Sequence, residues 1–162
     1  MLAALPLAAF TAVFWWDGGP PAIALPWTEP AATATDREAA RFEACDGPDR
    51  FTCVVDGDTF WYRGTKIRIA DINTPETGEP GCAAEAELGA RAAQRLLALL
   101  NAGPFTLEVQ GRATDRYGRA LRVVTRGGSS LGDRLVAEGL AEPWRGKRSD
   151  WCIALAGGDI PR

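Results

Sequence analysis

The chain has 162 residues and a formal net charge of −3, with 46% hydrophobic and 24% charged residues. This composition is ordinary for a globular protein, and the length suffices for one domain with a hydrophobic core. The net charge provides no overall basic field for nucleic acid, although it is compatible with a local basic cleft. The chain has no histidine, which excludes histidine general bases, histidine-ligated zinc and histidine-containing catalytic triads.

The first 35 residues are predicted to lie apart from a folded domain at residues 36–162. Residues 2–16 are uncharged and mostly apolar, a stretch shorter than the roughly 20 residues of a transmembrane helix and typical of a secretory signal. Residues 17–35 are rich in proline and alanine and indicate a flexible linker. We therefore expect a secreted or periplasmic protein. An uncleaved membrane anchor and a wrongly assigned start codon are the alternatives.

Four cysteines lie outside the apolar leader, at Cys45, Cys53, Cys82 and Cys152. Their even number and the absence of a Cys-x-x-Cys pair favour disulfides over a zinc site. Three pairings are possible. The turn sequence between Cys45 and Cys53 favours a hairpin that joins them, which leaves Cys82 to pair with Cys152. Four free thiols in a cytosolic protein are the alternative.

Charged and strand-forming residues are concentrated at residues 54–76. Strands are predicted at 60–62 and 66–70, on either side of a turn at 63–65. Asp58 precedes the first of these strands, and Glu76 follows a proline that ends any pairing. If the strands are neighbours, carboxylates distant in sequence meet at one end of the sheet, an arrangement suited to a hard cation.

The later elements follow from apolar spacing and turn chemistry. Helix 83–100 has leucine and alanine residues at helical spacing and ends at an Asn-Ala-Gly-Pro stop signal. Strands are predicted at 105–110 and 120–125. Ser130 and Asp133 resemble a capping box for a short helix through Leu140. The order of these elements indicates the α+β class.

Four motifs resemble the staphylococcal-nuclease-like (thermonuclease) family, in order and spacing, over residues 53–144. They are Asp56-Gly57-Asp58-Thr59, Arg68 eight residues before Glu76, Thr74-Pro75-Glu76, and Asp115-Arg116-Tyr117-Gly118-Arg119. The resemblance implies a five-stranded OB-type β-barrel of Greek-key topology with two or three packed helices. It also implies a monomeric, calcium-dependent nuclease that hydrolyses DNA or RNA and leaves 3′-phosphate ends.

The resemblance also assigns the calcium ligands. Asp58 would bind the ion directly, Thr74 would bind it through the backbone carbonyl, and Asp56 would orient water around it. Asn73 stands where the family usually has an aspartate ligand, and the lost charge predicts weaker calcium binding. Asp71, two residues earlier, is the candidate to restore that charge.

Three residues are the predicted catalytic groups. Glu76 resembles the carboxylate that orients or deprotonates the attacking water. Arg68 and Arg119 stand where the family clamps the phosphate, and their planar guanidinium groups suit an oxyanion that gains charge during the attack.

Three further residues are the predicted substrate contacts. Arg116 and Tyr117 resemble residues that touch a terminal phosphate. Trp144 is interpreted either as a stacking platform for a base or as a core residue. A basic run at 145–148 suits phosphate steering or a solvated tail.

Two other function classes remain open on the sequence. One is a non-catalytic OB-type module that binds nucleic acid or protein, and Asn73 favours it. The other is an envelope-anchored structural protein of the same fold. The retained Asp58, Arg68, Glu76 and Arg119 favour the nuclease, and no obligate protein partner is evident.

Overall fold

The structure is a computed structural model that describes residues 35–158. The predicted leader and most of the predicted linker, residues 1–34, lie outside the described residues, as do residues 159–162. In chain order, the described part contains β1 (Glu43–Ala44), β2 (Cys53–Val54), β3 (Thr59–Tyr62), β4 (Thr65–Ile69), β5 (Ile72–Asn73), α1 (Ala83–Asn101), β6 (Thr106–Glu108), β7 (Ala120–Arg126), β8 (Ser129–Ser130), α2 (Leu131–Ala137), β9 (Glu142–Pro143) and α3 (Trp151–Ala156). None of the described helices is both long enough and apolar enough to cross a membrane.

The strands form one mixed sheet and one separate ladder. The order in the sheet is β1-β2-β3-β4-β7-β6, and β8 pairs with β7. The pairs β1–β2 and β4–β7 are parallel, and the other pairs in this sheet are antiparallel. The second ladder joins β5 to β9. These pairings do not close into a ring within the described residues, so the closed five-stranded barrel stays a prediction.

A tight turn between β3 and β4 aligns the first two site motifs. Arg63 and Gly64 both have positive φ values, 49° and 79°, as a two-residue hairpin requires to match the twist of its strands. The register pairs Thr59 with Arg68. The acid that precedes β3 therefore lies beside the arginine of β4.

Helix α1 covers the sheet with the face that its sequence predicts. Its buried side chains include Leu88, Ala92, Leu96 and Leu99, whereas Arg91 is exposed. An aromatic cluster continues this core beyond the helix, with ring centroids 5.8–6.0 Å apart between neighbours; its members are Phe42, Phe60, Tyr62 and Phe105.

Two predicted element boundaries are wrong. The Ser130 hydroxyl accepts the backbone N–H of Asp133 at 3.2 Å, which confirms the predicted cap. Helix α2 nevertheless ends at Ala137 rather than Leu140, because Gly139 has a φ of 70° and turns the chain out of the helix. The strand predicted at 105–110 is shorter, spanning Thr106–Glu108.

Both predicted disulfides are present. Cys45 bonds to Cys53 with 5.0 Å between Cα atoms, and Cys82 bonds to Cys152 with 6.0 Å. The predicted hairpin around the first bridge is wrong, because β1 and β2 run parallel and a wider loop joins them. The second bridge joins the start of α1 to α3, so it holds α3 beside the loop that carries Glu76.

Candidate active site

Asp58 contacts two other predicted site residues. Its Oδ2 accepts the backbone N–H of Thr74 at 3.1 Å and lies 3.1 Å from Nη1 of Arg68. Its Oδ1 accepts the hydroxyl of Thr59 at 3.0 Å. A Cβ at Gly57 would lie 2.6 Å from Cβ of Ala92, so glycine lets α1 press against this backbone. The sequence Asp-Gly-Asp thus brings an acid to a close junction of β3, β5 and α1.

Negative charge is crowded around this point. Asp56 accepts the backbone N–H of Asp58 at 3.0 Å through Oδ1. Burial and the neighbouring charge of Asp58 raise the pKa of Asp56 to about 7, and Glu76 adds to the rise. The structure therefore brings these three predicted acids together. We call Asp56, Asp58, Asn73, Thr74 and Glu76 the acidic junction.

Asn73 is held by a residue that the sequence did not single out. It lies directly opposite Glu142 in the β5–β9 ladder, and its Nδ2 donates to Glu142 Oε1 at 2.8 Å. Its Oδ1 is buried and has no hydrogen-bond partner among the described residues. Glu142 lies 69 residues away in the chain and within an apolar run, so no local pattern marks it.

The side chain of Asp71 is bonded at the start of α2. Its Oδ2 accepts the hydroxyl of Ser130 at 2.7 Å, at the start of α2. Burial raises the pKa of Asp71, and the bond from Ser130 offsets part of that rise. No described contact joins its carboxylate to Asp58 or Asn73, so its role as the compensating charge stays a prediction without structural support.

Glu76 is held by a residue of α1 and by an arginine that precedes α3. Its backbone N–H donates to Glu85 Oε1 at 3.2 Å, and Glu85 Oε2 also accepts the N–H of Gly81 at 2.7 Å. The Glu76 carboxylate forms an ion pair with Arg148. The sequence placed Arg148 only in a basic run, and the structure assigns it a specific acidic partner.

Arg68 faces both the acidic junction and the open surface. Its Nη1 donates to the carbonyl of Ile72 at 2.9 Å and also contacts the carbonyl of Ile69. Its guanidinium carbon lies 5.6 Å from the ring centroid of Trp144. Burial lowers the pKa of Arg68, and the charge of Asp58 opposes that change. The arginine therefore connects Asp58 to the neighbouring cleft.

Arg119 and Tyr117 belong to a loop that Asp115 organises. Asp115 Oδ1 accepts the backbone N–H groups of Tyr117 and Arg119, each at 2.9 Å, and Oδ2 accepts Arg119 Nε at 2.7 Å. Partial burial raises the pKa of Asp115. The bonds from Arg119 and the two backbone amides lower that pKa by a larger amount, so the net pKa lies below its ordinary value. Arg116 and Arg119 both lie against the exposed ring of Tyr117, 4.8 and 5.6 Å from its centroid.

These arginines line an open cleft of about 1130 Å³ beside the acidic junction. Asp115 is the acid among its lining residues, and Tyr117 and Trp144 contribute aromatic surface. We call this surface the basic cleft and define it by its seven cationic side chains: Lys66, Arg68, Arg112, Arg116, Arg119, Lys147 and Arg148. A chain of net charge −3 thus concentrates positive charge where an anionic substrate would meet the acids.

Residues 35–158 contain no group of three or more Asp, Glu or Cys side chains arranged to hold a metal ion. The predicted ligand set is of another kind, because it combines one carboxylate, one amide oxygen and one backbone carbonyl, from Asp58, Asn73 and Thr74. Calcium accepts such a mixture of oxygen donors together with water. The unpartnered Oδ1 of Asn73 also suits a nearby cation. The donor set therefore fits a hard divalent ion.

The fold and the paired acidic and basic surfaces define a staphylococcal-nuclease-like protein. A family model described as staphylococcal nuclease homologue matches residues 66–150. The match covers more than half of the 162 residues, and the chain belongs to this family. Its architecture is therefore the OB-like α+β fold of the family, with a mixed sheet and, in the described residues, three helices.

Two bacterial proteins with related sequences carry the name endonuclease. Endonuclease YncB of Bacillus subtilis (strain 168) is 38% identical over 92 residues, which cover 54% of this chain and 43% of that protein. The SPbeta prophage-derived endonuclease YokF of the same organism is 39% identical over 92 residues, covering 54% of this chain and 31% of that protein. The matched part of the chain thus corresponds to less than half the length of either relative.

Proposed function

We propose that this chain is a calcium-dependent nuclease that hydrolyses phosphodiester bonds of DNA, RNA or both and leaves 3′-phosphate ends. The observation that carries the proposal is the position of the acidic junction beside the basic cleft, with Arg68 in contact with both. Family membership and the two relatives named endonuclease support the same reaction class.

Each catalytic side chain has one task in the proposed reaction. Calcium bound at Asp58, Asn73 and Thr74 would polarise the phosphate and acidify water. Glu76 takes a proton from the attacking water while the oxygen of that water forms a bond to phosphorus. Arg68 and Arg119 hold the non-bridging oxygens, whose negative charge grows during the attack. The bond from phosphorus to the 5′-oxygen breaks in line with the attack, and the 5′-oxygen takes up a proton from water.

The ion pair between Arg148 and Glu76 bears on this step. A carboxylate oxygen that is engaged by a guanidinium group is not free to bind the attacking water. Arg148 has 54% of its side chain exposed and lines the basic cleft. We therefore expect an incoming phosphate to attract Arg148 away from Glu76, so that substrate binding frees the base.

The exposed aromatic rings support binding of unpaired strands. Tyr117 and Trp144 are 68% and 40% exposed, and both line the basic cleft. Any base can stack on such a ring, whatever the sequence. A base can do so only where it is not already stacked inside a duplex. The proposed substrate preference is therefore single-stranded nucleic acid, with little sequence specificity.

The test is a cleavage assay on the full-length, oxidised chain. Single-stranded DNA, duplex DNA and RNA are each incubated with increasing calcium, with EGTA as the metal-free control. We expect calcium-dependent cleavage whose products block polymerase extension until a phosphatase removes the 3′-phosphate. Glu76→Gln should lower the rate by at least about 100-fold, whereas Glu79→Gln, an exposed acid of the same loop, should not. Cleavage that survives EGTA, or that Glu76→Gln leaves unchanged, would contradict the proposal.

A non-catalytic binding module is the second candidate, and Asn73 is the observation that favours it. An amide provides less electrostatic attraction for calcium than a carboxylate. Binding of single strands without cleavage at any calcium concentration would establish this alternative.

We also propose that the protein acts as a monomer outside the cytoplasm, secreted or periplasmic, with membrane anchoring as the alternative. The two disulfides support the location outside the cytoplasm, because such bonds persist mainly in oxidising compartments. Cell fractionation with an antibody against the folded domain would test it. A fully reduced protein in the cytoplasmic fraction would contradict it.

A further inference from the structure

The ladder between β5 and β9 places a buried acid behind the predicted amide ligand. Asn73 and Glu142 are register partners, and both are almost fully buried, at 1% and 5% exposure. Directly opposed residues of an antiparallel pair have side chains on the same face of the ladder. The carboxylate and the carboxamide therefore meet at 2.8 Å, which is an ordinary hydrogen-bond distance.

This contact determines which way the amide of Asn73 points. In the observed orientation, Nδ2 donates to Glu142 Oε1. Rotating the amide by half a turn would instead place Oδ1 against the carboxylate, and two acceptors at that distance repel each other. Glu142 thus keeps Oδ1 on the opposite side, where it is buried and has no partner among the described residues.

Glu142 is itself held firmly by a third residue. Its Oε2 accepts the hydroxyl of Ser149 at 2.6 Å, and its Oε1 also accepts the backbone N–H of Ser149 at 3.3 Å. All three contacts are donated to Glu142, as an ionised carboxylate requires. The orientation of Asn73 is therefore supported by a chain of hydrogen bonds rather than by one flexible side chain.

The unpartnered oxygen belongs to the residue that directly precedes Thr74, another predicted calcium ligand. Thr74, the next residue, is bonded through its backbone N–H to Oδ2 of Asp58 at 3.1 Å. A buried acceptor without a partner calls for a donor, a water molecule or a cation. Hydrogen bonds from metal ligands to carboxylates fix the orientation of those ligands and strengthen them as donors.

We propose that Glu142 is a positioning residue for calcium: it holds the Asn73 carboxamide with Oδ1 toward the ion and supplies the negative charge that Asn73 lacks. The proposal rests on the calcium dependence proposed above. It assigns to Glu142 the compensating role that the sequence suggested for Asp71. The acid acts through the amide and does not touch the ion.

Calcium binding by the full-length, oxidised chain tests this assignment without reference to activity. Isothermal titration calorimetry measures the calcium Kd of the wild type, Glu142→Gln, Asn73→Asp and Asn73→Asp/Glu142→Gln. Glu142→Gln keeps the shape and removes the charge, and we expect it to weaken calcium binding by about tenfold or more. The double variant exchanges the donor and the acceptor of the same hydrogen bond and puts the charge on the ligand. It should recover the wild-type Kd or better it.

Asp133→Asn is the matched control. It removes one charge from an exposed side chain of α2 and keeps the backbone N–H that the Ser130 cap uses. We expect its calcium Kd to stay within about twofold of the wild type, because exposed charges are screened by water and salt. A loss equal to that of Glu142→Gln would mean that general electrostatics explains the effect, and it would overturn the assignment.

The outcomes separate this inference from the proposed function. No calcium binding by the wild type would overturn both. Wild-type binding with an unchanged Kd in Glu142→Gln would overturn only the role of Glu142. If Glu142→Gln fails to fold, as its circular dichroism would reveal, the double variant decides. The assignment predicts that the folded double variant binds calcium more tightly than Asn73→Asp alone, in which two carboxylates would face each other, and equal or weaker binding contradicts it.

Discussion

The acidic junction and the basic cleft adjoin each other but are built in opposite ways. Asp58 and Asn73 are almost completely buried, and their side chains bond to groups on other elements of the fold. The exposed Tyr117 and Arg116 belong to a loop that is held largely by the local bonds of Asp115. The junction is thus part of the core, whereas the cleft is an adaptable surface.

This difference predicts that the two regions respond differently to substitution. A change in the acidic junction should alter folding stability together with metal binding, because the same contacts serve both. Apart from Arg68, which is buried beside Asp58, a change in the basic cleft should alter substrate cleavage with little effect on folding, because few core contacts depend on the exposed side chains.

The largest expected effect concerns the disulfide that anchors the junction. Cys82–Cys152 closes a loop of 70 residues and Cys45–Cys53 one of 8. Loop-closure entropy predicts that replacing Cys82 and Cys152 by serine lowers the free energy of unfolding by about 4 kcal/mol. Replacing Cys45 and Cys53 by serine should lower it by about 2.5 kcal/mol. Urea unfolding at equal protein concentration measures both losses. Equal losses would show that native contacts, rather than loop length, dominate.

Arg119→Lys tests the cleft. Lysine keeps the charge but cannot offer two parallel hydrogen bonds to a phosphate, so we expect cleavage to fall by about 100-fold while the melting temperature hardly changes. Arg122→Lys is the control, since Arg122 donates to the backbone carbonyls of Ala113 and Leu121 and does not line the cleft. A large fall in melting temperature for Arg119→Lys would contradict the division between the two regions.

The same division explains what the sequence could predict. Local patterns identified α1, the β3–β4 turn and the cap of α2, because each depends on residues close together in the chain. The family motifs then brought Asp58, Arg68 and Glu76 into one hypothesis before any geometry was known. In the structure, Asp58 lies beside Arg68 and the adjoining cleft is basic.

What the sequence missed depends on contacts between distant residues. The bond from Asn73 to Glu142 spans 69 positions, and the pairing of β5 with β9 that creates it involves two residues on each side. Strands this short have no recognisable periodicity. Asp71 seemed suitable because it is close to Asn73 in sequence, whereas the structure directs its side chain to Ser130. The parallel pairing of β1 and β2 was missed for the same reason.

Gly57→Ala tests how tightly the acidic junction is packed. The added Cβ would lie 2.6 Å from Cβ of Ala92 and 2.8 Å from Cγ2 of Thr74. Such overpacking costs about 1–3 kcal/mol, and relief of it would shift Thr74 away from Asp58. Gly78→Ala, where nothing lies within 4 Å of the added atom, should change stability by less than about 0.5 kcal/mol. Urea unfolding in EGTA compares the two, and similar stabilities would mean that the junction can relax.

Arg148→Gln should have the smallest effect and addresses the contact between the two regions. Arg148 pairs with Glu76 and also lines the basic cleft. Removing it should raise KM, because one cation of the cleft is lost, and should raise kcat, because Glu76 no longer has to break an ion pair. A half-exposed pair is worth about 0–1 kcal/mol, so each change should be at most about fivefold and should shrink as salt is added.

Lys147→Gln separates the two effects of that substitution. Lys147 lines the same cleft and has no described bond to Glu76, so its loss should raise KM and leave kcat unchanged. Steady-state kinetics on a short single-stranded substrate compares both variants with the wild type. A fall in kcat for Arg148→Gln alone would mean that Arg148 stabilises the transition state directly. The ion pair with Glu76 would then be the position of a catalytic arginine in the absence of substrate. A residue of the basic cleft would in that case take part in the chemistry at the acidic junction.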